Sequence, residues 1–239
     1  MTHILITSGG TLVPIDPVRN ISNNSTGSFG SAIAAEALKA GMEVSYLTSR
    51  HGQSPFSQRV DFNQQQDWHE TEDKLKELHD FADKYRPQYH EHRYQTYNEY
   101  ASDLKLLVTK KKPEIILLAA AVSDYLVANY SHNKVRSNMA LHVDLEPAPK
   151  LIHSIREWSP ESFIVGFKLM VNVSETELID TAKNSIAQHH LDLCVANDLV
   201  SIQSGTHKIF IVNRDGSVQS YNHNLAAEII AKCLQGIRS

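Results

Sequence analysis

Cysteine, long apolar runs and excess positive charge are scarce in this sequence, and each scarcity excludes a class of protein. Only two cysteines occur in 239 residues, which is too few for a disulfide framework, and their spacing does not match a metal site. No run reaches the ~18 apolar residues of a transmembrane helix. The formal net charge is -4, whereas a dedicated nucleic-acid-binding domain is usually basic. We therefore expect a cytoplasmic protein that binds neither membranes nor nucleic acid.

Continuous apolar segments bounded by turn residues predict strands buried on both faces, as in a parallel sheet covered by helices. The predicted strands are 3–8, 43–49, 114–122, 162–169 and 191–198. Helical patterns lie between them at 27–40, 67–85, 100–112, 174–189 and 222–236. Two short strands around the turn NRDG predict a β-hairpin near the C-terminus. The alternation predicts a single α/β domain over 1–239, with a Rossmann-like, doubly wound, mainly parallel sheet and a small C-terminal β-hairpin.

Residues 51–112 differ from the rest because they are rich in Gln, His, Tyr and charge. The histidines of the segment HEHR, together with His69 and His79, invite interpretation as metal ligands. However, no carboxylate–histidine spacing is repeated around them. We predict that these histidines lie on a solvated helical face.

A long polar segment, SGGTLVPIDPVRNISNNSTGSFG (8–30), separates the first strand from the first helix. The small residues 9–11 offer backbone N–H groups suited to an anion-binding nest. The helix that starts near Gly27 offers a second anion site, because its first N–H groups are unpaired. Between the two lie Arg19, a cation able to fork onto phosphate or carboxylate, and Asn23. The structural alternative is a long ordered turn in which Asn and Ser cap the backbone.

Polar residues also follow the later predicted strands, and ligands of an open parallel sheet bind beyond the carboxyl ends of its strands. Asp124 follows a buried strand, where its carboxylate suits a ribose or a divalent cation. Other strand ends carry cationic or amide groups. These further residues are Gly166, Phe167, Lys168, Asn197 and Asp198, with Lys134 and Arg136 in the segment NKVR.

These segments resemble a known family. The string GGTLVPIDPVRNISNNSTGSFG is similar to the GGT-x-x-x-IDPVR-x-ISN-x-S-G-x-x-G signature of phosphopantothenate–cysteine ligases, enzymes of coenzyme A synthesis. AAVSDY, NKVR, VGFKL and VANDL resemble that family's later motifs in the same order. The family's Rossmann-like fold agrees with the predicted sheet. The chain resembles the stand-alone form, because no decarboxylase domain precedes Met1 and GFKL stands where fused enzymes have GFAAET.

The resemblance implies a two-step reaction between small molecules. The substrates are 4′-phosphopantothenate, L-cysteine and a nucleoside triphosphate, CTP or ATP. An acyl-nucleotidylate forms with release of pyrophosphate, and cysteine then displaces the nucleoside monophosphate. The resemblance further implies Mg²⁺, no FMN and a homodimer.

Residue roles follow from the same motif match. Asn23, Lys134 and Arg19 are the expected catalytic residues, and Arg19, Asn23 and Gly27 the expected substrate-binding residues. Lys134 aligns with the first lysine of a K-x-K-K motif, which reads KVRS here, with Arg136 in the second basic position. Asp124 is the expected metal ligand. The expected nucleotide-binding residues are Gly9, Gly10, Thr11, Asp124, Gly166, Phe167, Lys168, Asn197 and Asp198.

Two other interpretations stay open. Tyr130 and Lys134 satisfy the Y-x-x-x-K spacing of short-chain dehydrogenases, which requires both residues on one helix. No Asp closes the second strand to bind an adenosine ribose, however. The altered KVRS segment also allows a non-catalytic, nucleotide-binding homologue.

Overall fold

The computed structural model describes residues 1–57, 68–136, 138 and 140–238. Its strands are β1 His3–Ser8, β2 Leu12–Pro14, β3 Asn20–Ser22, β4 Glu43–Ser49, β5 Tyr89–Tyr94, β6 Ile115–Leu118, β7 Tyr125–Val127, β8 Leu145–Pro147, β9 Phe163–Met170, β10 Leu193–Asp198, β11 Ile209–Asn213 and β12 Val218–Tyr221. Its helices are α1 Ser28–Lys39, α2 Trp68–Tyr85, α3 Tyr97–Lys111, α4 Ile152–Trp158, α5 Glu175–His189, α6 Leu199–Gln203 and α7 Leu225–Gly236, with a 3₁₀ turn at Arg86–Gln88.

An eight-stranded sheet runs in the order β12-β11-β10-β9-β6-β1-β4-β5. The strands from β10 to β5 are parallel, and β11 and β12 add an antiparallel hairpin at one edge. Numbered along the chain, the parallel strands have the 3-2-1-4-5-6 order of the doubly wound fold, which reverses between β1 and β6. The predicted fold class and C-terminal hairpin are therefore confirmed. Ligands of such sheets bind at this switch point, beyond the carboxyl ends of the strands.

Helices cover both faces of the sheet, which explains the continuous apolar strands. In β1, Ile4 and Ile6 pack with residues of α1 and α7 on one face. Leu5, between them, packs with residues of α3 and α5 on the other face. All three side chains are fully buried. Alternate residues thus enter two different cores, so a strand of this sheet has no polar side.

Two sequence predictions are wrong in detail. The predicted strand 114–122 ends at Leu118, because continuous pairing with β1 stops there and resumes at Ala121 as an isolated bridge to Gly10. The segment HEHR lies in β5, an edge strand, and not on a helical face. Charged and polar side chains on an edge strand hinder pairing with other chains. By contrast, His69 and His79 do lie on the exposed surface of α2.

Tyr94, at the end of β5, connects this edge strand to the end of β1. Its buried hydroxyl donates a 2.7 Å hydrogen bond to the Ser8 carbonyl oxygen. We expect Tyr94→Phe to lower the free energy of unfolding by about 1 kcal/mol, the usual net value of such a bond. Urea denaturation of the two proteins measures this difference.

Tyr89→Phe is the matched control, because the Tyr89 hydroxyl donates to the exposed Glu91 carboxylate on the same strand. We expect this change to alter stability by less than about 0.5 kcal/mol. Equal losses in the two variants would contradict a structural role for the Tyr94–Ser8 bond.

Candidate active site

The loops after β1 and β6 are hydrogen-bonded to each other at the switch point. Ala121 N donates to Gly9 O at 2.7 Å, and Thr11 N donates to Ala121 O at 3.3 Å. Ser123 N donates to Thr11 Oγ1 at 2.9 Å, while Gly10 and Ala121 form a parallel bridge. We call these contacts between residues 9–11 and 121–123 the switch-point junction. It brings the predicted Gly9–Thr11 segment beside the loop that leads to Asp124.

Asn23 lies on this junction. Its Nδ2 donates to the Ala121 carbonyl oxygen at 3.1 Å, and its side chain is otherwise exposed. A Cβ atom at Gly10 would lie 3.0 Å from the Asn23 carbonyl oxygen, so glycine permits the close approach of the two segments. The structure thus unites four predicted site residues, Gly9, Gly10, Thr11 and Asn23, at the point where a ligand of this fold would bind.

The start of α1 also lies at the end of β1. Gly27 is the N-cap residue with a left-handed φ of 74°, and Ser8 Oγ donates to its carbonyl oxygen at 3.0 Å. A Cβ atom at Gly30 would overlap the Ser8 side chain, so the first turn of α1 packs directly on β1. The N-terminus of α1 therefore lies beside the junction, as the predicted second anion site requires.

Arg19 has a different environment from the predicted one. It lies three residues from the turn-forming Asp16, and its Nε and Nη2 donate to Asp16 Oδ2 at 3.0 and 2.6 Å. Nη2 also donates to the Val135 carbonyl oxygen. The Nε–Nη2 edge of this fork is thus occupied by a carboxylate of the protein, and the binding of a phosphate or substrate carboxylate by Arg19 stays a prediction.

Asp16 is the residue of this region that the sequence analysis missed. Its side chain is fully buried and also accepts from the N–H groups of Val18, Arg19 and Val135, at 2.9, 2.8 and 3.1 Å. Burial alone would raise the pKa of Asp16, but these N–H donors and the Arg19 guanidinium hold that pKa well below its usual range. An Asp-Pro pair followed by Arg, with the N–H groups two and three residues on turned back to the carboxylate, is a signal that could have identified it.

The Asp16–Arg19 pair fixes the backbone beside Lys134. Val135 forms two backbone hydrogen bonds with the pair: its N–H donates to Asp16, and its carbonyl oxygen accepts from Arg19. Ser131 N donates in addition to Ile15 O at 3.0 Å. Lys134 itself is exposed and forms no hydrogen bond or ion pair within the described ranges. The loop that carries this ammonium group is thus anchored while the group remains accessible.

A cavity of about 410 Å³ opens beside the junction, between the ends of β6 and β9 and the helices α3, α4 and α5. Three predicted nucleotide-binding residues line it, namely Asp124, Phe167 and Lys168. The sequence analysis missed Lys150, His153 and His189, which also line it. They are distant from the predicted residues along the chain, and no motif marked them.

Asp124 forms an ion pair with Lys150 across the base of the β7–β8 hairpin. No group of three or more His, Cys, Asp or Glu side chains in the described part of the chain forms a metal site. One carboxylate is too few to hold Mg²⁺ alone, but Mg²⁺ is usually bound through one or two carboxylates together with substrate phosphates. Asp124 therefore fits a metal–nucleotide complex and does not form a preformed metal site.

The remaining predicted residues, Gly166, Asn197 and Asp198, do not line the cavity. Gly166 is buried within β9, where a Cβ atom would lie 2.6 Å from Leu191 Cδ1, so it serves packing and is not at a strand end. Asn197 is buried. Asp198 caps α6 through a 3.1 Å bond from Ser201 N to its Oδ1, although its Oδ2 is buried without a partner among the described residues. The geometry supports nucleotide contact by these residues less than by Asp124 and Phe167.

The dehydrogenase interpretation is wrong, because Tyr130 and Lys134 lie in the loop between β7 and β8 and not on one helix. Both cysteines, Cys194 and Cys233, are buried free thiols, and burial raises the pKa of each to about 12. Neither is therefore a reactive thiolate at neutral pH. In the part of the chain that the structure describes, no helix has the length and apolar composition that crossing a bilayer needs.

The low pKa of Asp16 predicts a pH-dependent effect of Asp16→Asn. A carboxyl with a lowered folded-state pKa stabilises the fold above its unfolded pKa of about 3.9, and this contribution is lost as the pH falls towards the folded value. We expect the variant to be less stable than the wild type at pH 7, with a difference that narrows below about pH 4. Urea midpoints between pH 3 and 7 measure it.

Asp144→Asn is the control, because Asp144 is an exposed carboxylate that accepts from Asn129 on the neighbouring hairpin. We expect it to change stability little at any of these pH values. If the urea midpoints of the wild type and Asp16→Asn differed by the same amount at pH 3 and pH 7, this result would contradict the role given to the Asp16 charge.

Comparison with known proteins identifies the family. The model of the DNA/pantothenate metabolism flavoprotein C-terminal domain matches residues 1–83 and 90–238. A coenzyme A biosynthesis bifunctional protein CoaBC from Thermococcus kodakarensis is 35% identical over 213 residues, which are 89% of this chain and 45% of that protein. The human phosphopantothenate–cysteine ligase is 28% identical over 249 residues, covering 90% of this chain and 77% of that enzyme.

The fold has relatives among solved structures as well. The DNA/pantothenate metabolism flavoprotein from Streptococcus pneumoniae superposes with a TM-score of 0.78 at 25% identity, covering 100% of this chain and 99% of the other. The chain spans less than half the length of the archaeal bifunctional relatives it matches. The similarity extends over nearly the whole chain, includes the motifs of the switch-point junction, and confirms the family that those motifs predicted. The chain belongs to the family of DNA/pantothenate metabolism flavoprotein C-terminal domains, which includes phosphopantothenate–cysteine ligases.

Proposed function

We propose that this protein joins 4′-phosphopantothenate to L-cysteine at the expense of a nucleoside triphosphate. The observation that carries the proposal is the position of Asn23. It lies on the switch-point junction, and the β6 loop of that junction leads through Asp124 to the cavity lined by Phe167 and Lys168. A cavity and an exposed segment of the junction thus lie next to each other at the carboxyl edge of one sheet, which suits a reaction between an acid and a nucleotide.

In the proposed arrangement the nucleotide occupies the cavity and the acid lies along the junction. Phe167 lines the cavity from β9, and its ring is held by packing against Phe29 of α1, at a centroid distance of 6.0 Å. Lys168 contributes positive charge, and Asp124 is the only predicted carboxylate that lines the cavity in the described residues. The N-terminus of α1 at Gly27 and the turn at Gly9 offer backbone N–H groups towards the anionic end of the acid.

The first step is attack of the substrate carboxylate on the α-phosphorus of the nucleotide. A C–O–P anhydride bond forms, the bond to the bridging oxygen breaks, and pyrophosphate leaves with the electron pair. Negative charge accumulates on the phosphoryl oxygens, so a fixed cation lowers the barrier. Lys134 suits this role because its ammonium group is accessible and its backbone is anchored by Asp16 and Arg19.

The second step is attack of the cysteine amine on the activated carbonyl carbon. The amide C–N bond forms with loss of a proton from nitrogen, and the nucleoside monophosphate leaves with the electrons of the C–O bond. Asn23 suits a contact with the intermediate, because an amide side chain adds no charge beside an anion. Arg19 acts here through the anchored loop, since its guanidinium is already paired.

Mg²⁺ fits this proposal as part of the nucleotide complex, with Asp124 and phosphate oxygens as ligands, and it would offset phosphate charge. Either CTP or ATP is the nucleotide of this proposal, without FMN. A cytoplasmic location belongs to the same proposal. The remaining alternative is a non-catalytic homologue that binds nucleotide without turnover.

Pyrophosphate release with Lys134→Gln tests the first step. We expect the wild type to release pyrophosphate only when 4′-phosphopantothenate, Mg²⁺ and CTP or ATP are all present. The variant should lose about 10²- to 10³-fold in rate, the usual effect of removing one group that stabilises transition-state charge. In the same assay followed to the amide product, Asn23→Asp should form little phosphopantothenoylcysteine, because it places a carboxylate beside an anionic intermediate.

Lys39→Gln is the control, since Lys39 pairs with Glu36 on the exposed surface of α1, and it should keep the wild-type rate. Normal pyrophosphate release by Lys134→Gln would remove Lys134 from the mechanism. No release by the wild type, with nucleotide still bound, would favour the non-catalytic homologue.

We also propose a homodimer, by analogy with the stand-alone ligases that the motifs resemble. Large apolar side chains are exposed on and beside the two hairpins, which supports a contact there. These residues are Val18, Ile21, Tyr125, Tyr130, Leu141 and Leu145. Light scattering should give about twice the chain mass of 26.8 kDa, and a monomer at micromolar concentration would contradict the proposal.

A further inference from the structure

Two histidines form a pair at the wall of the cavity, and the proposed reaction gives them no role. His153 lies in the first turn of α4, and His189 is the last residue of α5. Their Nδ1 atoms are 3.2 Å apart, and their ring centroids are 4.5 Å apart at an interplanar angle of 72°. Both residues line the cavity together with Lys150 and Lys168. The pair therefore lies where the proposed nucleotide would bind.

The Nδ1–Nδ1 contact limits the protonation states of this pair. At hydrogen-bond distance, one Nδ1 must carry a proton and the other must accept it. In the neutral pair, one ring then has Nε2 as an acceptor and the other has Nε2–H as a donor. One added proton converts the acceptor into a second Nε2–H donor and leaves the Nδ1–Nδ1 bond intact. A second added proton would bring two N–H groups face to face, so the contact allows the pair to take up one proton and not two.

In the free protein, the surroundings of the pair disfavour its protonated form. Burial lowers the pKa of His189, and His153, Lys168, Lys150 and His190 lower it further. The carboxylates that face the pair do little to offset this. Asp124 is paired with Lys150, and Glu157, one turn further along α4, is exposed. His189 is therefore neutral at pH 7 in the free protein, and the pair lies beside Lys168, which has no counter-ion in the described ranges.

We propose that the His153–His189 pair is a proton-linked subsite for the phosphate groups of the bound nucleotide. The inference rests on the proposed function, because it assigns the nucleotide to this cavity. Phosphate oxygens beside the pair supply the negative charge that the free cavity lacks. These oxygens offset the positive potential of Lys150 and Lys168, which disfavours protonation, and so they raise the pKa of the pair. They also accept hydrogen bonds from both Nε2–H groups of the singly protonated form.

The consequence is nucleotide binding that takes up one proton. A group whose pKa is higher in the complex than in the free protein strengthens binding below the bound-state pKa, and this gain is lost as the pH rises through that value. With one proton exchanged, the affinity changes by at most about tenfold for each pH unit between the two pKa values. We expect affinity for CTP or ATP to increase as the pH falls from 8 to 6.

Calorimetric titration of the full chain with CTP, and separately with ATP, measures this proton. The titration uses excess Mg²⁺, which keeps the terminal phosphate of the nucleotide ionised, in two buffers of different ionisation enthalpy at each pH. The difference in binding enthalpy between the buffers gives the number of protons taken up. The variants are His189→Gln and His153→Gln, which keep a polar side chain but cannot titrate. His79→Gln, on the exposed surface of α2, is the control.

We expect the wild type and His79→Gln to take up close to one proton between pH 6 and 8, and both cavity variants to take up close to none. The variants should also bind with an affinity that changes little with pH. Equal proton uptake by the wild type and the two cavity variants would overturn the inference and leave the proposed function intact. No binding of either nucleotide at any pH would overturn both.

Discussion

The hydrogen bonds of Ala121 with Gly9 and Thr11 are the constraint on which the arrangement of the site depends. At a switch point the loops of neighbouring strands normally diverge to opposite faces of the sheet and leave a crevice. Here the backbone after β6 continues alongside the backbone after β1 before it turns away. Asn23 then covers the bonded segment. These hydrogen bonds close the bottom of the crevice, and the ligand-binding groups lie together along the carboxyl edge of the sheet.

Asp16 connects the loop after β1 to the loop between β7 and β8. Its carboxylate joins positions that are 119 residues apart in the chain, since it accepts from the N–H of Val135. A buried carboxylate is costly unless hydrogen bonds satisfy it, and Asp16 receives bonds from the backbone on both sides and from Arg19. The Asp16 carboxylate therefore favours one arrangement of the β2–β3 and β7–β8 hairpins, because a shift of either hairpin would leave its buried charge without hydrogen-bond donors. The loop of Lys134 is thereby positioned by a residue that does not approach the cavity.

The sequence was sufficient for the fold class, and it predicted a site at the carboxyl ends of the parallel strands. Strands such as β1 and β4 are apolar throughout because both faces of the sheet are covered, so their bounds were predicted within a residue or two. Strand β5 was missed because YHEHRY lies at an edge and shows polar side chains, so it has neither the apolar run nor a clean alternation. The glycines and the motif order predicted a ligand-binding loop after β1, but they did not predict its hydrogen bonds to Ala121. The partners of Arg19 and Asp124 were also not predicted, because Asp16 is identified only by its turn geometry and Lys150 lies beyond the β7–β8 hairpin.

The pairing of charges determines which groups at this edge can respond to a ligand. Arg19 is neutralised by Asp16 and Lys150 by Asp124, so both cations already have their counter-ions in the free protein. Lys134 and Lys168 have no such partner in the described ranges. A triphosphate brings more negative charge than two ammonium groups offset. The balance must come from a metal ion, from rupture of an existing pair or from protonation of a neutral group. Of the side chains that line the cavity, the histidines alone can gain charge near neutral pH without breaking a contact that holds the fold.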